Sequence, residues 1–218
     1  MCTVMPPDSP RPEALIRAVH RRLATWVQPG DVALDATCGN GHDTVHLARL
    51  VGAHGQVHAI DIQPEAIAET RARLLSSNLA ARVRLHQGDH ACLHDLLPSE
   101  LRGQLQIAVF NLGYRPGSDH CIITRPTTTL MALKACTQWL SDNGAMSIMA
   151  YPGHPGGDLE AHAVVRWSEC LPERDWRVWW TCPPSKRRPA PRWAWITRAS
   201  RDPIEVALGP NECQTLSL

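Results

Sequence analysis

The sequence predicts an α/β fold, with a mostly parallel seven-stranded sheet, helices on both faces and a terminal antiparallel hairpin. Short apolar runs alternate with longer segments of helical periodicity, which is typical of parallel strands joined by helices. Glycine-rich or polar residues follow the ends of these runs. The last two runs flank a loop rich in proline and arginine, which is typical of a hairpin.

Length and composition indicate one domain. A chain of 218 residues, 44% of them hydrophobic, can bury a core of its own. We assign residues 1–10 to a flexible leader, residues 11–200 to the domain and residues 201–218 to a tail. The formal net charge of +1 argues neither for nor against a polyanionic partner. No stretch is long enough to cross a bilayer, so we expect no membrane association.

The eight cysteines are scattered, and none lies two or three residues from another. This spacing excludes a Cys-x-x-Cys zinc or dithiol motif, and we expect no metal. The first residues lack the basic start and apolar run of a signal peptide. Scattered thiols without an export signal indicate a reducing compartment, so we expect a cytoplasmic location.

The elements follow in order from periodicity and turn residues. Apolar residues from Leu15 to Trp26 recur at helical spacing and predict a first helix over 11–27, which ends before Gly30. Asn143 and Gly144 are predicted to form the turn before the fifth strand. Strands are predicted at 31–35, 56–60, 83–86, 105–110, 145–150, 176–181 and 193–198. Further helices are predicted at 42–51, 64–78, 127–140 and 157–170, with a short one after residue 90.

Ligands of such sheets bind at the carboxyl ends of the strands. The segments richest in polar and glycine residues all follow predicted strands, at 35–43, 61–63, 89–90, 111–114 and 151–154. We therefore expect them to form a single site.

The turn from Asp35 to Asp43 joins the first strand to a helix. Gly39 and Gly41 permit tight turning and close approach of a ligand to the backbone. The spacing differs from the Gly-x-Gly-x-x-Gly dinucleotide pattern. An Asp-x-x-x-Gly-x-Gly turn suits a cofactor with an amino-acid end, whose ammonium needs carboxylate and carbonyl acceptors. An ordinary strand-to-helix turn is the alternative.

Three further polar positions extend this pocket. Asp61 ends the second strand about twenty residues after the glycines, where a carboxylate can accept both ribose hydroxyls, as it would also in an NAD site. Gln63 is placed to reach the ribose or the adenine edge. Asp89 and His90 follow the third strand and fit a contact to the adenine amino group, unless Asp89 is only a helix N-cap.

The segment from Asn111 to Tyr114 has the place and shape of the Asn-Pro-Pro-Tyr motif of amino-methylating enzymes, with Leu-Gly replacing Pro-Pro. An asparagine oxygen can hold the N–H groups of an acceptor nitrogen, and alignment supplies most of the catalysis. The alternative is that Asn111 only caps a turn and that Tyr114 is a packing residue. Tyr151 and His154 follow the fifth strand on the same rim; a histidine in such a loop can also be a surface residue.

Together these motifs resemble the MnmM/YtqB-like family, over roughly residues 12–198. They stand at 35–44, 61–63, 111–117, the Thr-rich helix start 124–129 and 151–157. The resemblance implies a Rossmann-like class I methyltransferase fold, with S-adenosyl-L-methionine as cofactor. It implies cofactor contacts at Asn40, His42, Asp43, Asp61, Gln63, Asp89 and His90. It implies a substrate side formed by Asn111, Tyr114, Tyr151 and His154.

Characterised bacterial members of that family methylate 5-aminomethyl-2-thiouridine at the wobble position of tRNA. The resemblance therefore implies an N-methyltransferase whose partner is the tRNA anticodon loop. This chain departs from the family at Asp119-His120, where members tend to have Asp-Lys, and Asp119 stays a candidate substrate contact or a cap.

The second departure is the hairpin loop at 183–192, which is unusually basic. Its cations lie among tryptophans, a combination that suits phosphates and unpaired bases. They are Lys186, Arg187, Arg188 and Arg192, near Trp179, Trp180, Trp193 and Trp195. The alternative is that the tryptophans belong to the core and the cations to a solvated loop.

Several functions remain open from the sequence. Within the same class, the substrate could be another RNA, such as rRNA, or a small-molecule amine. A nicotinamide-dependent oxidoreductase is disfavoured by the interrupted glycine pattern. A catalytically silent RNA-binding module is disfavoured because Asp61 and Asn111 both occupy working positions. The oligomeric state, monomer or homodimer, and the group that removes the amine proton also stay open.

Overall fold

The structure, a computed structural model, describes residues 12–115, 117, 122–181 and 191–199. The leader, the tail, Asp119 and the loop cations at positions 186–188 lie outside the described residues. The helices are α1 (Pro12–Trp26), α2 (His42–Leu50), α3 (Pro64–Ser76), α4 (Leu93–Leu96), α5 (Pro126–Trp139) and α6 (Gly157–Glu169). The strands are β1 (Val32–Asp35), β2 (Gln56–Asp61), β3 (Val83–Gln87), β4 (Leu105–Leu112), β5 (Leu140–Ala150), β6 (Trp176–Trp180) and β7 (Arg192–Arg198).

The seven strands form one sheet in the order β3-β2-β1-β4-β5-β7-β6. The first five are parallel, and β7 runs antiparallel to both β5 and β6. The α/β fold with a terminal antiparallel hairpin is therefore confirmed. The strand order reverses between β1 and β4, which is where ligands of open parallel sheets bind.

Two apolar layers cover the sheet because alternate residues of a strand point to opposite faces. In β4, Ile107 and Val109 pack in one layer with α1, α2 and α3, whereas Ala108 and Phe110 pack in the other with α5 and α6. Within the described ranges no helix is long and apolar enough to cross a membrane.

The expected turn at Asn143 and Gly144 is wrong. β5 begins at Leu140, five residues earlier than predicted, and these residues lie within the strand where its register against β4 shifts. A Cβ at Gly144 would lie 2.6 Å from the carbonyl oxygen of Leu105. The glycine therefore permits close approach of β4 rather than a change of direction.

Candidate active site

The five polar segments meet at the carboxyl edge of the sheet, as predicted. Asp35 at the end of β1 is level with Ala59 of β2 and with Val109 of β4. Asn111 of β4 is level with Met149 of β5. Because these strands are neighbours, the segments that follow them line one continuous rim around the switch point.

Asp35 supports the glycine-rich turn from inside the protein. Its side chain is fully buried, accepts a hydrogen bond from the Thr44 hydroxyl at 2.6 Å and a longer one from the Thr37 N–H at 3.3 Å. Burial raises the pKa of Asp35 to about 7, and the nearby Asp43 carboxylate adds to this effect. The structure thus places Asp35 beneath the turn, and its direct contact with a cofactor stays a prediction.

The turn itself is held in shape by α3. Gly39 and Gly41 have φ of 50° and 80°, in the left-handed region that favours glycine. A Cβ at Gly41 would lie 2.8 Å from Thr70 Oγ1, and Thr70 donates to the carbonyl oxygen of Gly39. Arg73 of the same helix donates to the carbonyl oxygen of Asn40 at 2.7 Å. These contacts from α3 hold the backbone of the turn in place.

Asp61 is oriented by two backbone N–H groups. Its Oδ2 accepts from Gly39 at 2.8 Å and its Oδ1 from Gln63 at 2.9 Å. A carboxylate has about four lone-pair sites, so both oxygens keep acceptor capacity for the two hydroxyls of a ribose. The donor set at this edge therefore fits an adenosyl cofactor. Gln63 precedes α3 and is largely buried, while His42 is exposed at the first position of α2.

At the end of β3, Asp89 caps a short helix, because its carboxylate accepts from the N–H of Ala91 at 2.8 Å. The N-cap alternative for Asp89 is therefore correct, and its adenine contact stays a prediction. His90 is 8% exposed and packs edge-on against Phe110. Its Nε2 has no hydrogen-bond partner within the described residues. Burial lowers the pKa of His90, which favours the neutral ring.

Asn111 is held by two residues of the glycine-rich turn and its helix. Its N–H donates to the Thr37 hydroxyl at 2.7 Å, and its side-chain Nδ2 donates to Asp43 Oδ2 at 2.7 Å. A carboxylate only accepts, so the amide nitrogen faces Asp43 and the amide oxygen points elsewhere. The cofactor motif and the acceptor motif are thus joined by a direct hydrogen bond, which the sequence did not indicate.

Tyr114, Tyr151 and His154 lie together at the same edge. The rings of Tyr114 and His154 meet edge to face, with centroids 5.5 Å apart. His154 Nδ1 lies 3.1 Å from the carbonyl oxygen of Pro155, and its Nε2 is buried without a partner in the described part of the chain. Burial raises the pKa of Tyr151 to about 12, and the charge of Asp43 adds to this.

The acceptor loop is anchored by a buried carboxylate that sequence reasoning missed. Glu160 of α6 is 2% exposed and accepts from the hydroxyls of Thr124 and Thr129, each at 2.6 Å. Thr124 Oγ1 also accepts from the N–H of Gly113, next to Tyr114. A glutamate on the same helix face as the buried Val164 is the signal that could have revealed it.

Arg115 also escaped the sequence analysis. Its Nη1 donates to Asn40 Oδ1 at 3.1 Å, which lays the residue after Tyr114 across the glycine-rich turn. Nothing in the sequence pattern pairs residues 40 and 115, because they meet only when β1 and β4 are adjacent.

Two tryptophans of the hairpin, Trp193 and Trp195, belong to the protein interior, whereas Trp179 and Trp180 are partly buried. Trp193 and Trp195 are each 4% exposed, Trp193 donates to Ser147, and Trp195 meets Trp26 edge-on. The interpretation of Trp193 and Trp195 as base-stacking platforms is therefore wrong, because the alternating side chains of β7 cover the sheet. Arg192 pairs with Ala150 of β5 and so lies at the carboxyl edge.

No group of three or more histidine, cysteine or acidic side chains suited to a metal occurs in the described parts of the chain. The cysteines at 38, 92, 136 and 170 carry free thiols.

Solved structures share this architecture over most of the chain. A "putative rRNA-methylase" from Clostridium thermocellum has a TM-score of 0.80 and 32% identity, covering 89% of this chain and all of that one. A "putative methyltransferase" from Streptococcus mutans, in complex with SAH, has a TM-score of 0.74 and 32% identity, covering 84% and 97%. The fold is thus that of a class I S-adenosylmethionine-dependent methyltransferase.

Family comparisons narrow this class. The family model described as "Putative rRNA methylase" matches residues 57–197, so the chain belongs to that family. A model of protein-L-isoaspartate O-methyltransferases matches residues 13–92, the N-terminal part of the chain that carries the glycine-rich turn. The resemblance found in the motifs is confirmed.

A curated relative adds a named activity. The chloroplastic tRNA (mnm(5)s(2)U34)-methyltransferase of Arabidopsis thaliana is 39% identical over 159 residues, 69% of this chain and 57% of that protein. The chain therefore matches little more than half the length of this relative.

Proposed function

We propose that this chain is an S-adenosylmethionine-dependent N-methyltransferase acting on the aminomethyl group of 5-aminomethyl-(2-thio)uridine at the tRNA wobble position. The observation that carries the proposal is the hydrogen bond between Asn111 and Asp43. This hydrogen bond joins the Asn111 amide, which would hold the methyl-accepting nitrogen, to the glycine-rich turn that would bind the cofactor. The name of the Arabidopsis relative supports this substrate.

The part of the proposal that concerns cofactor binding depends on the Asp61 carboxylate and on the glycine-rich turn. Asp61 would accept the two ribose hydroxyls, and the turn at 39–41 would surround the amino-acid end. When bound, S-adenosylmethionine supplies an electrophilic methyl group on a sulfonium sulfur. The protein's task is then to present a nitrogen lone pair in line with that methyl group.

Asn111 orients the acceptor. Since its amide nitrogen is held by Asp43, its oxygen is free to accept an N–H of the aminomethyl group. Tyr114 is 38% exposed, and we assign its ring to the solvent side of the acceptor position. Glu160 accepts from Thr124, and Thr124 accepts from the N–H of Gly113, so the segment between Asn111 and Tyr114 is held in place. Little ordering of this segment is then needed when the substrate binds.

An alkylammonium must lose a proton before its nitrogen can attack, and His154 is the better acceptor for it. With a pKa of about 12, Tyr151 stays protonated near neutral pH and so does not act as the base that takes this proton. His154 places Nδ1 against a carbonyl oxygen, which assigns the ring proton to Nδ1 and leaves a lone pair on Nε2. We infer that this buried nitrogen takes the proton, directly or through a water.

The hairpin supports an RNA substrate through its position. Thr181, which precedes the basic loop, and Arg192, its last residue, both lie where β6 and β7 meet the carboxyl edge. The cations at 186–188 lie between these two residues in the sequence. A wobble base lies in a single-stranded loop, so presenting it needs less unpairing than flipping from a duplex.

The free thiols support a cytoplasmic location.

Mass spectrometry of tRNA nucleosides from cells with and without the gene tests the proposal. We expect the methylated 5-methylaminomethyl nucleoside to disappear and its 5-aminomethyl precursor to accumulate. Purified protein with S-adenosylmethionine should restore the methyl group on that tRNA, and an Asn111→Ala variant should not. Unchanged tRNA nucleosides, with loss of a methyl group from rRNA or from a small amine instead, would refute the substrate.

A further inference from the structure

Helix α1 brings one histidine to the polar side of the site. His20 Nε2 lies 2.5 Å from Asp43 Oδ1, while Asp43 Oδ2 accepts from Asn111 Nδ2 at 2.7 Å. The three side chains form a continuous hydrogen-bonded row from α1, through α2, to the end of β4. The match to the rRNA methylase family model begins at residue 57, so His20 lies outside it, within the segment matched by the protein-L-isoaspartate O-methyltransferase model.

The carboxylate in the middle of this row is ionised. Burial alone would raise the pKa of Asp43, but the hydrogen bonds from His20 and Asn111 outweigh it and the net pKa is lowered. An ionised carboxylate only accepts, so His20 must donate through Nε2 and Asn111 through its amide nitrogen. Each partner thereby fixes one carboxylate oxygen.

His20 is itself fixed by its surroundings. Its ring stacks on that of His46, with centroids 4.1 Å apart and planes 10° from parallel, and His46 Nε2 lies 3.2 Å from the His20 carbonyl oxygen. The His20 side chain is 28% exposed and that of Asp43 is 19% exposed. The donor therefore has a set direction in a site that water reaches only in part.

We propose that His20 is a positioning residue for methyl transfer: by holding one oxygen of Asp43, it fixes the side-chain orientation of Asn111 that aligns the acceptor nitrogen. This inference rests on the function proposed for Asn111. Without the donor from α1, the Asp43 carboxylate can rotate about its χ2 angle, and the amide of Asn111 loses its fixed partner. A shift of about 1 Å in a reacting group can cost on the order of a hundredfold in rate.

The test compares the same substitution in the two stacked rings. His20→Phe keeps an aromatic ring against His46 but removes the donor to Asp43. His46→Phe is the matched control, because it keeps a ring stacked on His20 and removes no hydrogen bond to Asp43. His20→Gln returns an N–H donor near the position of Nε2 and should rescue most of the loss.

Kinetics on tRNA carrying 5-aminomethyluridine give the first readout. His20→Phe should lower kcat by about tenfold or more, while the Kd for S-adenosylmethionine, from calorimetry, changes by less than about threefold. His46→Phe should stay within about threefold of the wild type in both. Equal losses in kcat for the two phenylalanine variants, or no loss in either, would overturn the proposal.

A second readout needs no substrate and separates this inference from the proposed function. In protein labelled with ¹⁵N-asparagine, the side-chain amide signals of Asn111 are identified by their loss in Asn111→Ala. His20→Phe should shift them, and His46→Phe should leave them in place. Unshifted signals in His20→Phe refute the inference even if the enzyme methylates tRNA. A wild-type protein inactive on tRNA refutes the substrate, while shifted signals still support the link from His20 to Asn111.

Discussion

Removal of the Asp61 carboxylate tests the cofactor site most directly. In Asp61→Ala, the ribose hydroxyls lose a charged acceptor that two backbone N–H groups hold in place. A hydrogen bond to a charged group contributes roughly 1–3 kcal/mol, which corresponds to a loss of about five- to 150-fold in affinity. Calorimetric titration with S-adenosylhomocysteine measures this loss, since that ligand keeps the ribose and undergoes no transfer.

Asp61→Ala also removes two hydrogen bonds to backbone N–H groups, so a matched control variant is needed. Asp31 also accepts from a backbone N–H, that of Gln28 at 2.7 Å, but it precedes β1 and lies at the opposite edge of the sheet. Asp31→Ala should leave the affinity unchanged, and thermal unfolding of both variants shows whether the fold survives. Unaltered affinity in a folded Asp61→Ala protein would remove Asp61 from the pocket and refute the reasoning.

Three further changes test the acceptor end, the hairpin and the buried acid. Asn111→Ala should lower kcat and kcat/KM together in steady-state assays with little change in cofactor Kd, and lost cofactor binding with normal turnover would contradict its role. Replacing the cations at 186–188 by alanine should flatten the salt dependence of tRNA binding by roughly 0.7–0.9 in log–log slope for each phosphate contact, while cofactor affinity stays the same. An unchanged slope would identify a solvated loop. Burial raises the pKa of Asp35 from 3.8 to about 7, so the folded state binds the extra proton and the stability it contributes is lost as pH rises between these values. Asp35→Asn should remove that loss, worth at most about 4 kcal/mol, and urea unfolding at pH 5 and pH 8 should then show a smaller pH effect than in the wild type; an equal effect would place the titration elsewhere.

Most of the fold was predictable because its signals are local. The alternation of buried positions in β4 and the helical spacing from Leu15 to Trp26 depend on neighbours a few residues apart. The start of β5 was not, because Gly144 serves the approach of Leu105, almost forty residues earlier in the chain. An Asn-Gly pair is a local pattern, and it carries no information about a contact with a strand far away in the sequence.

The sequence by itself determined the class of fold, the rim on which the site lies and the residue types at the strand ends. It did so because strand ends, glycines and the acid after β2 occupy set places in a doubly wound sheet. Only the tertiary structure decided their partners. His20 and Asn111 stand 23 and 68 residues from Asp43, and they meet through packing of α1 and β4 around the turn. Packing likewise decided that Trp193 supports the sheet, since a pattern gives a residue's face but not what covers it.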